Sequence, residues 1–598
     1  MKLERARQNL QWPSIERVGR ALFGDRIGLL LWVGLVLTFA GLWRVGFFLT
    51  DSYTVANTLV NVADGHLAIT NVQYSLTLGT QPGLHQYEGV LYGRNYGQAF
   101  FALPVLWLLD AGAMVAAPRF LLLGGWTLGL LLFTRQLGIL LDRRGPFAIA
   151  GGIVAVASLV IGASVATLIG DGNLALVALQ LSTILVAAWG GLLVYRLVGL
   201  FEDRSIAIAA GVAAGLATPI GFWASLPKRH VIVAVLMIGA VYCFARSRKT
   251  GDRRFRAGAY VFAGLVAWVH AFEGFFLVAT LASVDLATAR TNGWRELAVV
   301  GIVLLLALSP TFATNAAISG NPMQPPRLLP GVGAGDVEFS PQGELRTGDA
   351  SSDVRSSGGG DLLGGDAERR DGDTESGDAG GATGASQNDD SGGGQESQGP
   401  GIVAWLVGSL AGLAAALIGL LPQPPDTVMV ILGFVISTVT DGIAVLGQPE
   451  RLGHIFLRSG YIPGLKYSVN QFEAIELTVL ESMPLLGALA AVPILAGNAI
   501  RHRGRSVLQW PRALPPARQT DLLIGTLAIV FTVIYLSRLP VYSMLTVRYL
   551  TPIYLLGLYG VVRLTPVGDC VALAPRVLGL GYAATVGLGT IGFLAAVF

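Results

Sequence analysis

Residues Asn173–Tyr195 read NLALVALQLSTILVAAWGGLLVY, a stretch without a single charge. A run of about 20 apolar residues is the length at which a helix crosses the hydrocarbon core of a bilayer. Lipid offers the backbone no partners, so such a run must bond internally as a helix, and it lacks the alternation of a barrel strand. Comparable runs recur at 27–49, 119–141, 146–169, 205–224, 231–245, 257–271, 273–287, 297–314, 401–421, 426–446, 481–499, 520–537, 545–563 and 575–597. The expected fold class is therefore all-α, a polytopic transmembrane helix bundle of about 13–15 spans. Composition agrees, since 53% of the 598 residues are hydrophobic and only 13% charged, against about a quarter charged in a soluble domain.

The polar residues orient this bundle. Lys2, Arg5, Arg7, Arg17, Arg20 and Arg26 precede the first run, so the positive-inside rule puts residues 1–26 in the cytoplasm and Asp51 on the outer face. Strict alternation places the basic clusters Arg143–Arg144, Arg246–Arg256, Arg295 and Arg501–Arg518 inside as well, provided that the short apolar stretch 98–110 does not cross. Residues 27–49 are too long for a signal-peptide core and lack a small-residue cleavage pattern, so they are expected to remain as the first span. The implied location is the cell membrane, multi-pass, with a cytoplasmic N-terminus. Domain organisation follows: the cytoplasmic segment 1–26, an N-terminal membrane core 27–330 whose first outer loop covers 50–118, a segment 331–400, and a C-terminal membrane region 401–598.

Segment 331–400 carries 15 acidic residues against four arginines, a net −11 that leaves +14 on the rest of a chain totalling +3. Its Gly/Ser/Asp-rich composition lacks apolar periodicity and predicts a disordered acidic outer loop. Asp371-Gly372-Asp373 within it imitates a nucleotide-sugar motif, but a match in such a tract is chance. The basic remainder suits an anionic leaflet or an anionic lipid-linked substrate, and it does not argue for nucleic acid. Cys243 and Cys570 lie in apolar runs, so neither a disulfide framework nor a zinc site is indicated. No Walker loop, HExxH or nucleophile elbow is present.

Candidate site residues gather on the predicted outer side. From Tyr53, apolar residues at Ala56, Leu59, Val60 and Ala63 have helical spacing, predicting an interfacial helix that Asp51 begins and could cap. Loop one also holds Glu88 and Arg94. The turn Leu226-Pro227-Lys228-Arg229-His230 breaks the positive-inside rule, which points either to an inverted topology or to anion binding. His270 and Glu273 interrupt the apolar run 257–287, either as an intramembrane pair or as an outer turn meeting water. Arg538 and Arg548 flank the last outer turn.

Several local patterns, in order, resemble the GT-C superfamily of membrane glycosyltransferases, in particular relatives of the protein O-mannosyltransferases and of the aminoarabinose transferase of lipid A. They are Asp51-Ser52-Tyr53 after the first span, Tyr92-Gly93-Arg94-Asn95-Tyr96-Gly97 leading into Phe100-Phe101-Ala102-Leu103-Pro104, Tyr195-Arg196-Leu197 through Asp203-Arg204 to Ala217-Thr218-Pro219, and Val547-Arg548-Tyr549-Leu550-Thr551-Pro552. The chain departs from that pattern by a single acid at Asp51 where O-mannosyltransferases have an Asp-Glu pair, and by His230 where many relatives place a second acid. The resemblance implies transfer of a sugar from a polyprenyl-phosphate donor to an acceptor hydroxyl on the outer face. Asp51 would be the catalytic base, with Glu88, Arg94, Lys228, Arg229, His230, His270, Glu273 and Arg548 binding substrate. No cofactor besides the lipid-linked sugar donor is implied, no metal ligands are assigned, and divalent-metal dependence is left open. The partners are membrane lipid, the lipid-linked sugar and a glycan or protein acceptor. The competing reading is a multi-span transporter or a flippase for lipid-linked substrates, in which the same ionisable groups line a path.

Overall fold

A computed structural model describes residues 15–47, 51–74, 83–94, 96–165, 173–330, 337–339, 345–347, 426–457, 468–469, 472–473, 477–493, 511–536 and 548–564. The chain divides into two compact units, Met1–Arg355 with Gly453–Thr532 and Val541–Phe598, and Ser356–Leu452 with Val533–Pro540.

The first unit is a helix bundle. Its elements are α1 (Ile15–Phe23), α2 (Arg26–Gly41), α3 (Asp51–Ala63), a hairpin of β1 (Leu84–Tyr87) and β2 (Val90–Gly93), α4 (Tyr96–Ala113), α5 (Pro118–Leu140), α6 (Arg144–Val165), α7 (Leu174–Val198), α8 (Arg204–Leu216), α9 (Thr218–Ala224), α10 (Arg229–Thr250), α11 (Arg253–Val269), α12 (Ala271–Thr288) and α13 (Trp294–Ser319). Seven helices of the described chain are long and apolar enough to cross a membrane, or up to nine if each of two bent pairs is one span. The pair α1–α2 bends by 64° at Gly24, whose φ is +80°, and Asp25 then caps α2 by accepting from Gly28 N at 2.8 Å. The pair α8–α9 bends by 53° where Pro219, lacking an N–H, cannot continue the ladder of α8.

Packing fixes which helix ends lie together. Gln180 Nε2 on α7 donates to Arg44 O and to Ser225 O, both at 2.9 Å, while Tyr195 at the other end of α7 donates to Asp25 Oδ2 at 2.8 Å. The bundle thus has a Ser225 end and an Asp25 end. Helix α5 lies antiparallel to α2, with Gly41 against Trp126 and Gly34 against Phe133. Helix α11 likewise runs against α10, with Gly258 at Cys243 and Gly239 at Phe262. Leu121 and Val269 therefore both sit at the Ser225 end.

Helix α4 contains the apolar stretch 98–110. Its first turn has Gly97 against the backbone of Trp268 and Val269, and its last has Gly112 against Leu121. Both ends of α4 stay at the Ser225 end. Gly97 is required there, because a Cβ would lie 2.6 Å from the Trp268 carbonyl oxygen. The core beneath is formed by Leu59, Leu103, Leu106 and Leu179, among others, from α3, α4 and α7.

Helix α3 forms as the spacing predicts, but not as a half-exposed interfacial helix. Its polar residues Ser52, Thr54, Asn57, Thr58 and Asn61 are as buried as Ala56 and Leu59. Asn57 bonds the backbone of Gln73 and Tyr74, and Asn61 that of Thr70 and Asn71. The carboxamides thus satisfy a covering loop whose backbone would otherwise be buried unpaired.

The C-terminal part of this unit is less continuous than its hydropathy predicts. The run 481–499 begins with the turn Val479–Ser482 and a 3₁₀ stretch Pro484–Ala491, and 545–563 is a 3₁₀ turn Arg548–Leu550 followed by a helix Thr551–Val562. The runs 401–421 and 575–597 lie outside the described residues. The expected 13–15 spans are therefore not reached among the described residues. The segment expected to be disordered carries one antiparallel pair, β3 (Val337–Phe339) with β4 (Leu345–Thr347); the rest of it lies outside the described residues. In the second unit, α14 (Asp426–Val445) packs Gly442 directly on the backbone of Val533. Helix α15 (Pro516–Leu536) belongs to the first unit up to Thr532, and α16 (Thr551–Val562) lies wholly within it.

Candidate functional site

The Ser225 end carries the polar chemistry. After α9 the chain turns through Pro227, Lys228 N donates to Leu226 O at 2.7 Å, and α10 starts at Arg229. Lys228, Arg229 and His230 are not a solvated turn: their exposures are 4%, 5% and 3%. The His230 ring meets Tyr549 edge-on at 5.0 Å and Trp223 at 6.3 Å. Arg548, also buried, lays its guanidinium over the Tyr549 ring at 5.0 Å and donates to the Tyr549 hydroxyl at 3.1 Å. Lys228, Arg229, Arg548 and His270 all lie close enough to act electrostatically on His230. The α16 turn and the α9–α10 turn, more than 300 residues apart in sequence, thus build one cationic cluster.

His270 occupies the break between α11 and α12, where its extended φ of −154° ends one helix and starts the next. Its Nδ1 lies 3.4 Å from Glu273 Oε1, with both side chains buried. Among the described residues, neither ring nitrogen of His270 has a hydrogen-bond partner, and neither does Nε of Arg229. Arg94, Arg229 and Arg327 supply the positive charge around the His270 ring. Of the two sequence readings of this pair, the one in which it meets water does not hold. Glu273 and Asp285 are the only buried carboxylates among the described residues.

The remaining predicted residues separate. Arg94 joins this cluster from the end of β2, half-buried. Glu88 does not; it stands exposed at the hairpin tip with φ +50°, next to Gly89 at +79°, the two positive-φ positions of a type I′ turn. Asp51 begins α3 at the same end of the bundle, while its side chain lies outside what is described; so does Arg538.

Two residues of this end escape a reading of the sequence. Arg327 follows Pro325-Pro326 beyond α13 and could have been counted with the other cations expected on the outer side. His85 sits on β1, with Nδ1 3.2 Å from Leu329 O, and the adjacent Gln86 N donates to Pro330 O at 3.0 Å. Burial, together with Arg94 and Arg327, pushes the His85 imidazole down to about 4. It is therefore neutral at pH 7, which makes Nδ1–H the donor to Leu329.

The Asp25 end is polar in a different way. Asp285 accepts from Arg248 at 2.6 Å, from Arg256 at 2.7 Å and from the Tyr260 hydroxyl at 3.0 Å. Arg563 pairs with Asp521 at 3.1 Å and with Glu202, and Arg204 pairs with Asp25 at 2.9 Å. These are closed ion pairs that clamp neighbouring helices.

No group of three His, Cys, Asp or Glu among the described residues could hold a metal ion. No family model matches the chain, and neither a curated protein nor a solved structure matches it.

Proposed function

We propose that this multi-pass protein is a membrane glycosyltransferase that moves a sugar from a polyprenyl-phosphate donor to an acceptor hydroxyl at the Ser225 end, on the outer face. The observation that carries this reading is the burial of Lys228, Arg229 and Arg548 together at the end where Asp51 begins α3. Clustered cations in a water-poor site attract an anion strongly, and the phosphate of a lipid-linked donor is one. In the reaction the acceptor oxygen attacks the anomeric carbon and gives its proton to the Asp51 carboxylate. The bond from that carbon to the phosphate oxygen breaks, and the phosphate leaves with the electron pair. Lys228, Arg229 and Arg548 stabilise the charge it gains.

The resemblance of Asp51-Ser52-Tyr53 and of Arg548-Tyr549-Leu550 to GT-C motifs supports the same reading. A transporter would use charges distributed along its path, whereas here Lys228, Arg229, His230 and Arg548 are buried together at one end. The test is purified protein in proteoliposomes with radiolabelled polyprenyl-phosphate hexoses and membrane extract as acceptor. A new glycoside that is lost with Lys228→Ala is expected. Movement of the donor between leaflets without any glycoside would overturn the assignment in favour of a flippase.

A further inference from the structure

Two arginines at the Asp25 end carry charge that no carboxylate answers. Arg196, in the last turn of α7, lays its guanidinium over the Tyr242 ring at 4.8 Å. Arg246, near the end of α10, lies 6.0 Å from the centre of the same ring and donates to the Tyr242 hydroxyl at 2.6 Å. It also stacks on Phe255 at 4.2 Å. Arg196 uses Nη1 alone within the chain, donating to Ala21 O at 3.1 Å and to Leu22 O at 2.8 Å. All these partners are neutral. Among the described residues neither arginine has an ion pair, and Nε and Nη2 of both make no hydrogen bond. Asp25 is taken by Arg204 and Tyr195, and Glu202 by Arg563.

We propose that Arg196 and Arg246 form a binding site for the headgroup phosphate of an anionic glycerophospholipid in the leaflet at the Asp25 end. The site is separate from the transfer chemistry at the Ser225 end. Nε and Nη2 share one edge of a guanidinium, the fork that grips two phosphate oxygens, and in both side chains that edge is the unused one. Distances of 4.8 and 6.0 Å to one ring centre bound the separation of the two charges, and a glycerophospholipid headgroup spans it. Like charges held so close repel each other, and a phosphate between them turns the repulsion into attraction.

The surroundings lie at headgroup depth. The 64° bend swings α1 away from the span α2, and Val18 and Leu22 of α1 are each 41% exposed. Phe23 instead packs against Trp32 and Trp189. A short helix with exposed apolar residues beside the exposed Arg17 and Arg20 suits the membrane interface. Arg196 caps the last carbonyls of this helix. The bend passes directly over it: a Cβ on Gly24 would stand 3.4 Å from Arg196 Nε, so glycine leaves the Nε edge open. Arg196 and Arg246 are half-buried, and exposed Lys249, three residues beyond Arg246 on the same helix face, continues the positive charge outward. Basic pockets between helices at this depth are where anionic headgroups bind.

Native mass spectrometry of the purified full-length protein, released from detergent micelles, counts bound lipids one at a time. Titration with dioleoyl phosphatidylglycerol, dioleoyl phosphatidylcholine and glycerol 3-phosphate compares an anionic lipid, a zwitterionic one and a phosphate without acyl chains. The first phosphatidylglycerol should bind at least about fivefold more tightly than the first phosphatidylcholine. Glycerol phosphate in about tenfold excess should not displace it. Arg246→Gln should remove most of the preference and Arg246→Lys should keep part of it. Arg254→Gln, which removes an exposed charge at the same end, should change the preference less than about twofold. Thermal unfolding of each variant checks folding, and Arg196→Gln gives a second reading of the site should Arg246→Gln unfold. A preference that survives both Arg246→Gln and Arg196→Gln, an equal loss in Arg254→Gln, or no preference in the unaltered protein overturns the proposal. Glycerol phosphate binding as tightly as the lipid overturns it too, by assigning the site to a soluble phosphate.

Discussion

Replacing Asp285 by asparagine tests whether the Asp25 end is held by charge. The carboxylate is 1% exposed and joins three helices: α12 carries it, Arg248 comes from α10, and Arg256 and Tyr260 come from α11. Asparagine keeps the shape, but one of its two terminal atoms becomes a donor facing donors. Arg256 retains Thr291 O at 3.1 Å, Asn292 Oδ1 at 3.0 Å and Glu296 at 3.7 Å. Arg248 is left with Thr288 Oγ1 at 3.0 Å and the Asp285 carbonyl at 3.1 Å, neither of them charged. Each hydrogen bond to a charged group contributes about 1.5–3 kcal/mol, and removing one member of a buried pair costs about 3–5 kcal/mol. Asp285→Asn should therefore lose about 3–5 kcal/mol in reversible unfolding of the purified protein in mixed detergent micelles. Taking out all three charges, with Asp285→Leu, Arg248→Met and Arg256→Met together, should recover much of that loss, because no uncompensated ion remains. A loss below about 1 kcal/mol for Asp285→Asn, or a triple variant less stable than the single one, would refute the reasoning.

Other expected outcomes concern the Ser225 end. Asp51→Asn should reduce transfer by about 10²–10⁴-fold with donor binding near normal, since base catalysis contributes that much while Asn caps a helix as well as Asp; full activity would remove Asp51 as the base. In intact cells a cysteine replacing exposed Glu88 should react with an impermeant thiol reagent, and one replacing exposed Thr250 at the Asp25 end should not; the reverse pattern would invert the bundle. The His85 ring, held down to about 4, binds fewer protons in the folded than in the unfolded state between that value and the ordinary 6.5. Stability present above pH 6.5 is then lost as the pH falls towards 4, by up to about 3 kcal/mol. Faster hydrogen exchange at Gln86 on acidification, absent in His85→Gln, is the expected sign, and unchanged exchange down to pH 4.5 would count against it.

What could be read from the sequence was what depends on local pattern and on charge. The apolar runs from Pro118 to Ser319 became helices, and α4, which contains 98–110, keeps both of its ends at the Ser225 end. The positive-inside bookkeeping put Arg94, Lys228, Arg229, His230, His270, Glu273 and Arg548 at one end, where the fold brings them together. Partnership was not legible. Arg248 and Arg256 read only as part of a cytoplasmic basic cluster, yet Asp285, in an apolar helix, takes them both. Helix α3 read as a helix lying in the membrane interface, because nothing local announces that residues 69–74 will fold over Asn57 and Asn61. His85 was invisible for the same reason, its neighbours Arg327 and Leu329 lying about 240 residues away.

The two ends of the bundle also serve as controls for each other. Both bury arginine, and low dielectric makes that costly in either place. At the Asp25 end Arg248 and Arg256 share Asp285, Arg563 has Asp521 and Glu202, and Arg204 has Asp25. These cations are answered within the chain, and helix packing is sufficient reason for them. At the Ser225 end Lys228, Arg229, His230 and Arg548 are buried together, and buried His270 lies beside buried Glu273. If packing were the only demand, apolar residues would fill that volume at no electrostatic cost. Ionisable side chains drawn from the α9–α10 turn, the α11–α12 break and the turn before α16 into one buried cluster are what a site for a charged substrate requires, and the proposed transfer at this end rests on that convergence.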